Sequence, residues 1–200
     1  MAVFSPTRRA VIAAAVLVPF PALAQAGGTR VRLETEKGVM LLELADAQAP
    51  ITVANFLQYV DSGRMESAVF FRASRAPGAP TVGLVQAEVK DPAKLLPPIA
   101  HESTTTTGLK HLDGTLSMAR FEPGTAKSSF SICCGDAPYL DADPAAPGDN
   151  LGYAAFGRVV EGMDVARAML AMPTTGEALN PVMQGQILDP PVRILSARRA

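Results

Sequence analysis

Short segments of alternating apolar and polar residues fill most of this chain, and turn residues separate them at intervals of about 8–12 residues. Arg30 to Leu44 predicts a hairpin, because such alternation lies on both sides of a Lys37-Gly38 turn. Further strands are predicted for AVFFRAS, VGLVQAE, GTLSMAR, SSFSIC, YAAFGRVV and PPVRILSA. Helical spacing is confined to two segments, one after Pro50 and one after Gly162. The pattern predicts a mainly β fold, a closed antiparallel barrel capped by two helices.

The first 26 residues have the pattern of a cleaved export signal. Arg8 and Arg9 precede an uncharged apolar run that is too short to span a bilayer, and Ala24-Gln25-Ala26 has the small-residue spacing of a cleavage site. The arginine pair fits the twin-arginine route and also fits an ordinary charged start. We therefore expect cleavage after Ala26, no stable membrane insertion afterwards, and export of the remaining chain to the periplasm.

Residues 27–200 are long enough for one domain with an apolar core, and they contain no repeat or low-complexity tract. The chain has 18 basic and 19 acidic side chains, and removing Arg8 and Arg9 changes its formal charge from −1 to −3. This balance provides no basic surface for nucleic acid. Cys133 and Cys134 are neighbours, so a disulfide between them would be strained, and buried thiols are favoured over a redox pair. We expect a monomer without a cofactor.

Several sequence segments of the chain occur in the order found in one protein family. They are TEKGVMLLELADAQAPITVANFLQYVDSG, VFFRAS, GLKHLDGTLSMAR, SSFSIC, YLD and FGRVVEGMDVARAM. In this order they resemble the cyclophilin-type peptidyl-prolyl cis-trans isomerases, over nearly all of residues 27–200. The resemblance implies an eight-stranded antiparallel barrel closed by two helices, with a substrate groove on its outer surface. It also implies that Phe130 and Ile132 face the core and that Ser131 faces the groove.

The activity that the resemblance implies is isomerisation of X-Pro bonds in proline-containing polypeptides, here exported proteins as they fold. The barrier is about 18–20 kcal/mol because rotation breaks amide resonance, yet no covalent bond is made or cleaved. The reaction therefore requires no metal and no nucleophile, whereas a hydrogen-bond donor that favours the twisted imide accelerates it. By resemblance, Arg72 in FFRAS is this catalytic donor, and Gln86 in LVQAE positions it and the substrate.

The resemblance also assigns a substrate-binding set, which is Leu84, Ala119, Phe121, Ser129, Ser131, Tyr139, Leu140 and Tyr153. Several members depart from the family pattern: Ser131 stands where a phenylalanine usually floors the proline pocket, Ser129 replaces a glutamine, and Tyr153 replaces a histidine. We expect weaker substrate burial. Phe121 is expected either to narrow the adjoining pocket or to swing over and fill the space above Ser131. Leu84 fits a core position equally well. The segment ASRAPGAPTVGL between Arg72 and Gln86 is predicted to be a longer loop than the family has.

Other functions are less well supported by the sequence. His101 and His111 are the only histidines, and no third ligand stands at a spacing typical of a metal site. Ser117 and the serines of SSFSIC lack a Gly-x-Ser-x-Gly elbow, so a serine hydrolase is not favoured. The four threonines from Thr104 to Thr107 are predicted to be an extended loop. The remaining alternative is a cyclophilin-fold peptide-binding module or chaperone with little isomerase turnover, which the altered groove would suit.

Overall fold

The computed structural model of this protein describes residues 27–200 and Met1, so the predicted signal segment lies outside the described residues apart from Met1. The elements of the described part are β1 (Arg30–Thr35), β2 (Gly38–Leu44), α1 (Pro50–Asp61), β3 (Ala68–Ala76), β4 (Ala79–Val89), α2 (Thr104–Thr107), β5 (Thr115–Met118), β6 (Phe130–Cys134), β7 (Ala154–Glu161), α3 (Met163–Leu170) and β8 (Ile187–Arg199). Within residues 27–200, no helix has the length and apolar character needed to cross a membrane.

The eight strands form one closed barrel in the order β1-β2-β7-β5-β6-β4-β3-β8, and β8 pairs back to β1. Every pair of neighbouring strands is antiparallel. The predicted closed eight-stranded antiparallel barrel is therefore confirmed. Closure removes the unpaired sheet edges at which strands of other chains would otherwise add.

Aromatic residues from the helix α1 and from three strands meet inside the barrel. The ring of Phe56 on α1 lies 5.3 Å, centroid to centroid, from the rings of both Phe130 and Phe156. The Phe70 ring on β3 lies 5.9 Å from Phe130. Ile132 belongs to the same buried cluster, so Phe130 and Ile132 both face the core, as expected from the alternation along β6.

The helix α1 is capped by a residue distant in sequence. Both carboxylate oxygens of Glu102 accept hydrogen bonds from the start of α1, at 3.1 Å from the Ile51 N–H and 2.7 Å from the Thr52 N–H. These amides have no partner inside the helix, and a negative charge at a helix N-terminus is favourable. Glu102 therefore fixes the start of α1 against the segment that precedes α2.

Thr104–Thr107 forms one helical turn, so the prediction of an extended loop was wrong. Gly108 has a positive φ of 72° and closes this turn, and its N–H donates to the Thr104 carbonyl at 2.9 Å. Thr104 is buried, and its hydroxyl accepts a hydrogen bond from the Ala142 N–H at 2.8 Å. Burial of the first threonine thus outweighs the weak helix propensity of the run.

The predicted long loop between Arg72 and Gln86 is also wrong, because β3 and β4 continue through it as a hairpin. Ala76 pairs with Ala79 across a Pro77-Gly78 turn, in which Gly78 has a φ of 76°. Proline favours the first central position of such a turn, and glycine tolerates the positive φ of the second. The Arg75 guanidinium fixes the extended hairpin by donating to the carbonyl oxygens of Leu170, at 2.7 Å, and of Met172.

Candidate functional site

A bulge in β3 turns Arg72 to the outer surface of the barrel. Phe70 pairs with Ala87 and Arg72 pairs with Gln86, so Phe71 is an extra residue on β3. Strict alternation would turn Arg72 to the same side as Phe70, which is fully buried in the core. The bulge shifts this phase, and the side chains of Phe71 and Arg72 both line a cavity on the outside of the barrel.

Neighbouring strands continue a row of polar side chains from Arg72. Gln86 on β4 pairs with Ser131 on β6, and Ser131 pairs with Ser117 on β5. Directly paired residues on neighbouring strands share one face of a sheet. All four side chains accordingly line the same cavity, which has a volume of about 960 Å³.

Each residue predicted for the site lines this one cavity. Its lining includes Arg72, Gln86, Leu84, Ala119, Phe121, Ser129, Ser131, Tyr139, Leu140 and Tyr153. The structure therefore brings together residues that span more than eighty positions of the chain.

Two glutamines fix the guanidinium of Arg72. Its Nη1 donates to Gln86 Oε1 at 2.9 Å, and its Nε donates to Gln186 Oε1 at 2.8 Å. The amide of Gln86 in turn donates to Ser129 Oγ at 2.9 Å, and the amide of Gln186 donates to the Val182 carbonyl at 3.1 Å. These contacts leave Nη2 of Arg72 without a protein partner in the described part of the chain.

The guanidinium of Arg72 is partly shielded from solvent. Burial lowers the pKa of the guanidinium, and the nearby Tyr153 and Tyr139 act in the opposite direction. An arginine remains charged in proteins despite such a shift. The side chain therefore presents a fixed cation, already desolvated in part, to whatever occupies the cavity.

Two leucine side chains contribute buried apolar surface to the cavity. Leu84 and Leu140 are each only 8% exposed, and they pack with Cys133 and Ala137 in a small cluster against Tyr153. Leu84 is a buried residue of this cluster, which is separate from the main core, and it also borders the cavity. Tyr139 differs, because it lines the cavity with 69% of its surface exposed.

Phe121 does not fill the space above Ser131. It lines the cavity, but it is 88% exposed, so it stands at the rim. The idea that Phe121 swings over to replace the absent pocket ring is therefore wrong for this structure. Ser131 itself is 6% exposed and borders open cavity.

Arg120 and Gln186 are parts of the site that the sequence reasoning missed. Arg120 lines the cavity and donates to both carboxylate oxygens of Asp149, at 2.6 and 2.8 Å, and this pairing lowers the pKa of Asp149 to about 2. Its guanidinium carbon lies 5.4 Å from the centroid of the Tyr153 ring. Arg120 is the last residue of GTLSMAR, so this segment could have indicated it as a site residue. Gln186 lies in a turn-rich segment in which no sequence pattern indicates a site residue.

Comparisons with known proteins agree on one family. Residues 30–198 match the family model described as cyclophilin type peptidyl-prolyl cis-trans isomerase/CLD. The chain is 39% identical over 148 residues to peptidyl-prolyl cis-trans isomerase A of Dickeya dadantii, which covers 73% of each chain. It is 32% identical over 196 residues to a peptidyl-prolyl cis-trans isomerase of Acinetobacter baylyi, covering 96% of this chain and 94% of the relative.

A solved structure shares the fold. A Cryptosporidium parvum cyclophilin type peptidyl-prolyl cis-trans isomerase, crystallised in the presence of the dipeptide Ala-Pro, superimposes with a TM-score of 0.66. The superposition covers 86% of this chain and 98% of the other, at 21% sequence identity.

Proposed function

This chain belongs to the cyclophilin-type peptidyl-prolyl cis-trans isomerases, and we propose that it isomerises X-Pro bonds in the cavity beside Arg72, with that guanidinium as the hydrogen-bond donor. The observation that carries the assignment is the pair of glutamine contacts that hold the guanidinium, while Nη2 has no protein partner among residues 27–200 and points to a substrate as its acceptor.

The proposed mechanism requires only orientation and one directed hydrogen bond. In the twisted transition state the imide nitrogen loses resonance and becomes a better hydrogen-bond acceptor. A donor at this nitrogen binds the transition state more strongly than either planar isomer, so it raises the rate of rotation and not merely the affinity. Since Gln86 and Gln186 already hold the guanidinium, little reorganisation accompanies the reaction.

The remaining cavity residues would hold the peptide on the two sides of the rotating bond. Leu84 and Leu140 offer apolar surface to the proline ring, and the exposed Tyr139 and Phe121 offer rim surface to the flanking residues. A peptide fixed on one side of proline must rotate about the imide bond when the other side moves. We propose that Arg72 and Gln86 have the catalytic role and that the other eight predicted site residues bind the peptide.

Replacement of Arg72 tests the proposal. Arg72→Ala should lower kcat/KM in a protease-coupled assay on proline peptides by about 10²–10³-fold, because one transition-state donor is lost. Arg72→Lys should recover little, since a flexible ammonium does not reproduce the guanidinium fork. Arg32→Ala is the matched control, because Arg32 is an exposed arginine whose ion pair is with Glu34 of its own strand. Unchanged activity in a folded Arg72→Ala protein would remove Arg72 from the mechanism.

A second candidate function is peptide binding or chaperone action with little turnover. The observation that favours it is the small, polar Ser131 on the cavity floor, which reduces the apolar surface available to a proline ring. Measuring peptide affinity and isomerisation on the same protein separates the two functions. Binding without acceleration would support the module, and acceleration that Arg72→Ala removes would support the enzyme.

We further propose that the protein acts on exported polypeptides in the periplasm. The support is the sequence of residues 1–26, with its arginine pair, apolar run and Ala-x-Ala end. The mature protein should begin near Gly27 by N-terminal sequencing of a periplasmic fraction, and an intact Met1 would contradict export. Replacing Arg8-Arg9 with Lys-Lys should block export only if the twin-arginine route is used. Gel filtration of the mature protein tests our expectation of a monomer.

A further inference from the structure

Three side chains form a hydrogen-bonded chain that ends at the cavity floor, and the isomerisation step proposed above does not use them. Asp141 Oδ1 lies 2.7 Å from His111 Nδ1, and His111 Nε2 lies 2.8 Å from Ser117 Oγ. Asp141 Oδ1 also accepts the backbone N–H of His111 at 3.1 Å. His111 is 1% exposed and Ser117 is 3% exposed, so these two members are shielded from bulk water, whereas Asp141 is partly buried.

The partners of His111 fix where its proton resides. An ionised carboxylate only accepts hydrogen bonds, so Nδ1 carries the proton and donates to Asp141. Nε2 is then left with a lone pair that accepts the hydroxyl hydrogen of Ser117. Burial lowers the pKa of His111, Lys110 acts in the same direction, and the contact with Asp141 opposes both. A neutral ring with a free acceptor next to a serine hydroxyl is the state required of a general base.

The position of Ser117 allows a ligand to reach it. Ser117 lines the cavity, whereas His111 and Asp141 lie behind it and do not. Its pairing partners on the two neighbouring strands are Ser131 and Ala155, and both have small side chains. Nucleophile, base and orienting acid are thus arranged in the order that acyl transfer needs. Such triads are recognised by geometry, so the absence of a Gly-x-Ser-x-Gly elbow does not exclude the chemistry.

We propose that Ser117 is a nucleophile that hydrolyses small activated carboxylic esters in this cavity. Ser117 Oγ bonds to the ester carbonyl carbon as its proton passes to His111 Nε2. The carbon–oxygen bond to the alcohol then breaks, and the departing oxygen takes that proton. Water next attacks the acyl-serine by the same proton route, which releases the carboxylic acid and restores Ser117. Overall, one ester and one water give one acid and one alcohol.

The class of substrate follows from the donors that the cavity offers. The amide and guanidinium donors in the same row as Ser117 are the side chains of Gln86 and Arg72, which bond to Ser129 and to the two glutamines, respectively, and leave Nη2 of Arg72 without a protein partner among residues 27–200. Neither is a pair of backbone amides aimed at an oxyanion, so stabilisation of a tetrahedral intermediate is modest. The acceptor therefore needs a good leaving group, which favours activated esters over peptide amides.

The experiment incubates the purified protein with p-nitrophenyl acetate and follows both nitrophenol release and the mass of tryptic peptides. We expect one acetyl group on the peptide that contains Ser117. Ser117→Ala should abolish this adduct and reduce release to the rate without protein. His111→Gln should lower the rate of release by about 10²–10⁴-fold, the usual contribution of a general base. His101→Gln is the matched control for simple imidazole catalysis. His101 contacts the Leu151 carbonyl and is not part of the chain formed by Asp141, His111 and Ser117.

The result that would overturn the inference is a folded protein in which Ser117 is never acetylated, or in which Ser117→Ala releases nitrophenol as fast as the parent. Thermal melts establish that the variants are folded. If His111→Gln does not fold, Ser117→Ala still tests the proposal, because it removes only a hydroxyl. The assay contains no proline peptide. A protein that isomerises X-Pro bonds but leaves Ser117 unmodified would refute acyl transfer alone.

Discussion

Replacing Ser131 with phenylalanine should strengthen peptide binding. Ser131 borders the cavity beside Gln86 on β4 and Ser117 on β5, so a ring at this position would add apolar surface to the floor. Burying a phenylalanine-sized surface is worth about 1.5–3 kcal/mol, which corresponds to about 10–150-fold in affinity. This is an upper limit, because the substrate covers only part of the ring and overpacking costs about 1–3 kcal/mol where it occurs.

The structure indicates that the new ring has room. The cavity has a volume of about 960 Å³, and Phe121 is 88% exposed at its rim, so it does not compete for the floor. Ser131 lies between two residues of the core cluster, Phe130 and Ile132, which hold its backbone in place. We therefore expect a stable variant with a lower KM for proline peptides and an unchanged role for Arg72.

The assay combines thermal melts, peptide titration and the coupled isomerase measurement on parent, Ser131→Phe and Ser131→Ala. Ser131→Ala is the control, since it removes the hydroxyl and adds little apolar surface, and it should change affinity only slightly. A destabilised Ser131→Phe protein would mean that the floor is too close-packed for a ring. A stable one with neither tighter binding nor faster turnover would refute the conclusion that position 131 contacts the proline ring.

Three further predictions follow from contacts at and below the cavity. Gln186→Ala should lower kcat about tenfold with less effect on KM, because a hydrogen bond to a charged group is worth about 1.5 kcal/mol or more. Gln186→Glu keeps the acceptor and should retain most activity. Burial raises the pKa of Cys133 to about 12 and of Cys134 to about 11, so both thiols should resist iodoacetamide until the protein is denatured. The unfolded chain loses these protons near the ordinary thiol pKa of about 8.5, so urea midpoints should fall as pH rises from there towards about 11. Arg120 lowers the pKa of Asp149 to about 2, so a carboxyl titration followed by NMR should show Asp149 ionised at about pH 3. The stabilisation from the pair of Asp149 with Arg120 should be lost only as the pH falls from the ordinary aspartate pKa of about 3.9 towards 2.

The barrel was predictable from the sequence because burial on one face of a strand leaves a period-two pattern. Phe130 and Ile132 on the two sides of Ser131 illustrate this, and their inward orientation follows from alternation alone. Arg72 shows where that argument ends. Alternation places it on the same face as Phe70, and only the bulge, which no residue pattern signals, turns it outward. Its assignment came from the resemblance of FFRAS to a family motif.

Contacts between distant residues account for what was missed. Gln186 lies 114 positions from Arg72, and nothing in the local sequence indicates that its amide meets the guanidinium. The chain of Asp141, His111 and Ser117 also depends on a distant contact, because Asp141 lies 30 positions from His111. The loop prediction for the β3–β4 segment is wrong for a different reason: its prolines and glycines are typical of a loop, whereas Pro77 and Gly78 form one tight turn within a continuous ladder.

The two activities proposed for the cavity make opposite demands on position 131. A proline ring is bound best when the floor beneath it is apolar and large, whereas an ester reaches Ser117 only if its pairing partner on β6 is small. Ser131→Phe should therefore improve proline-peptide binding and at the same time suppress acetylation of Ser117. Loss of both activities in a folded variant would mean that the ring blocks the whole cavity. Gain of the first with no loss of the second would mean that Ser117 is reached by a path that does not pass over Ser131.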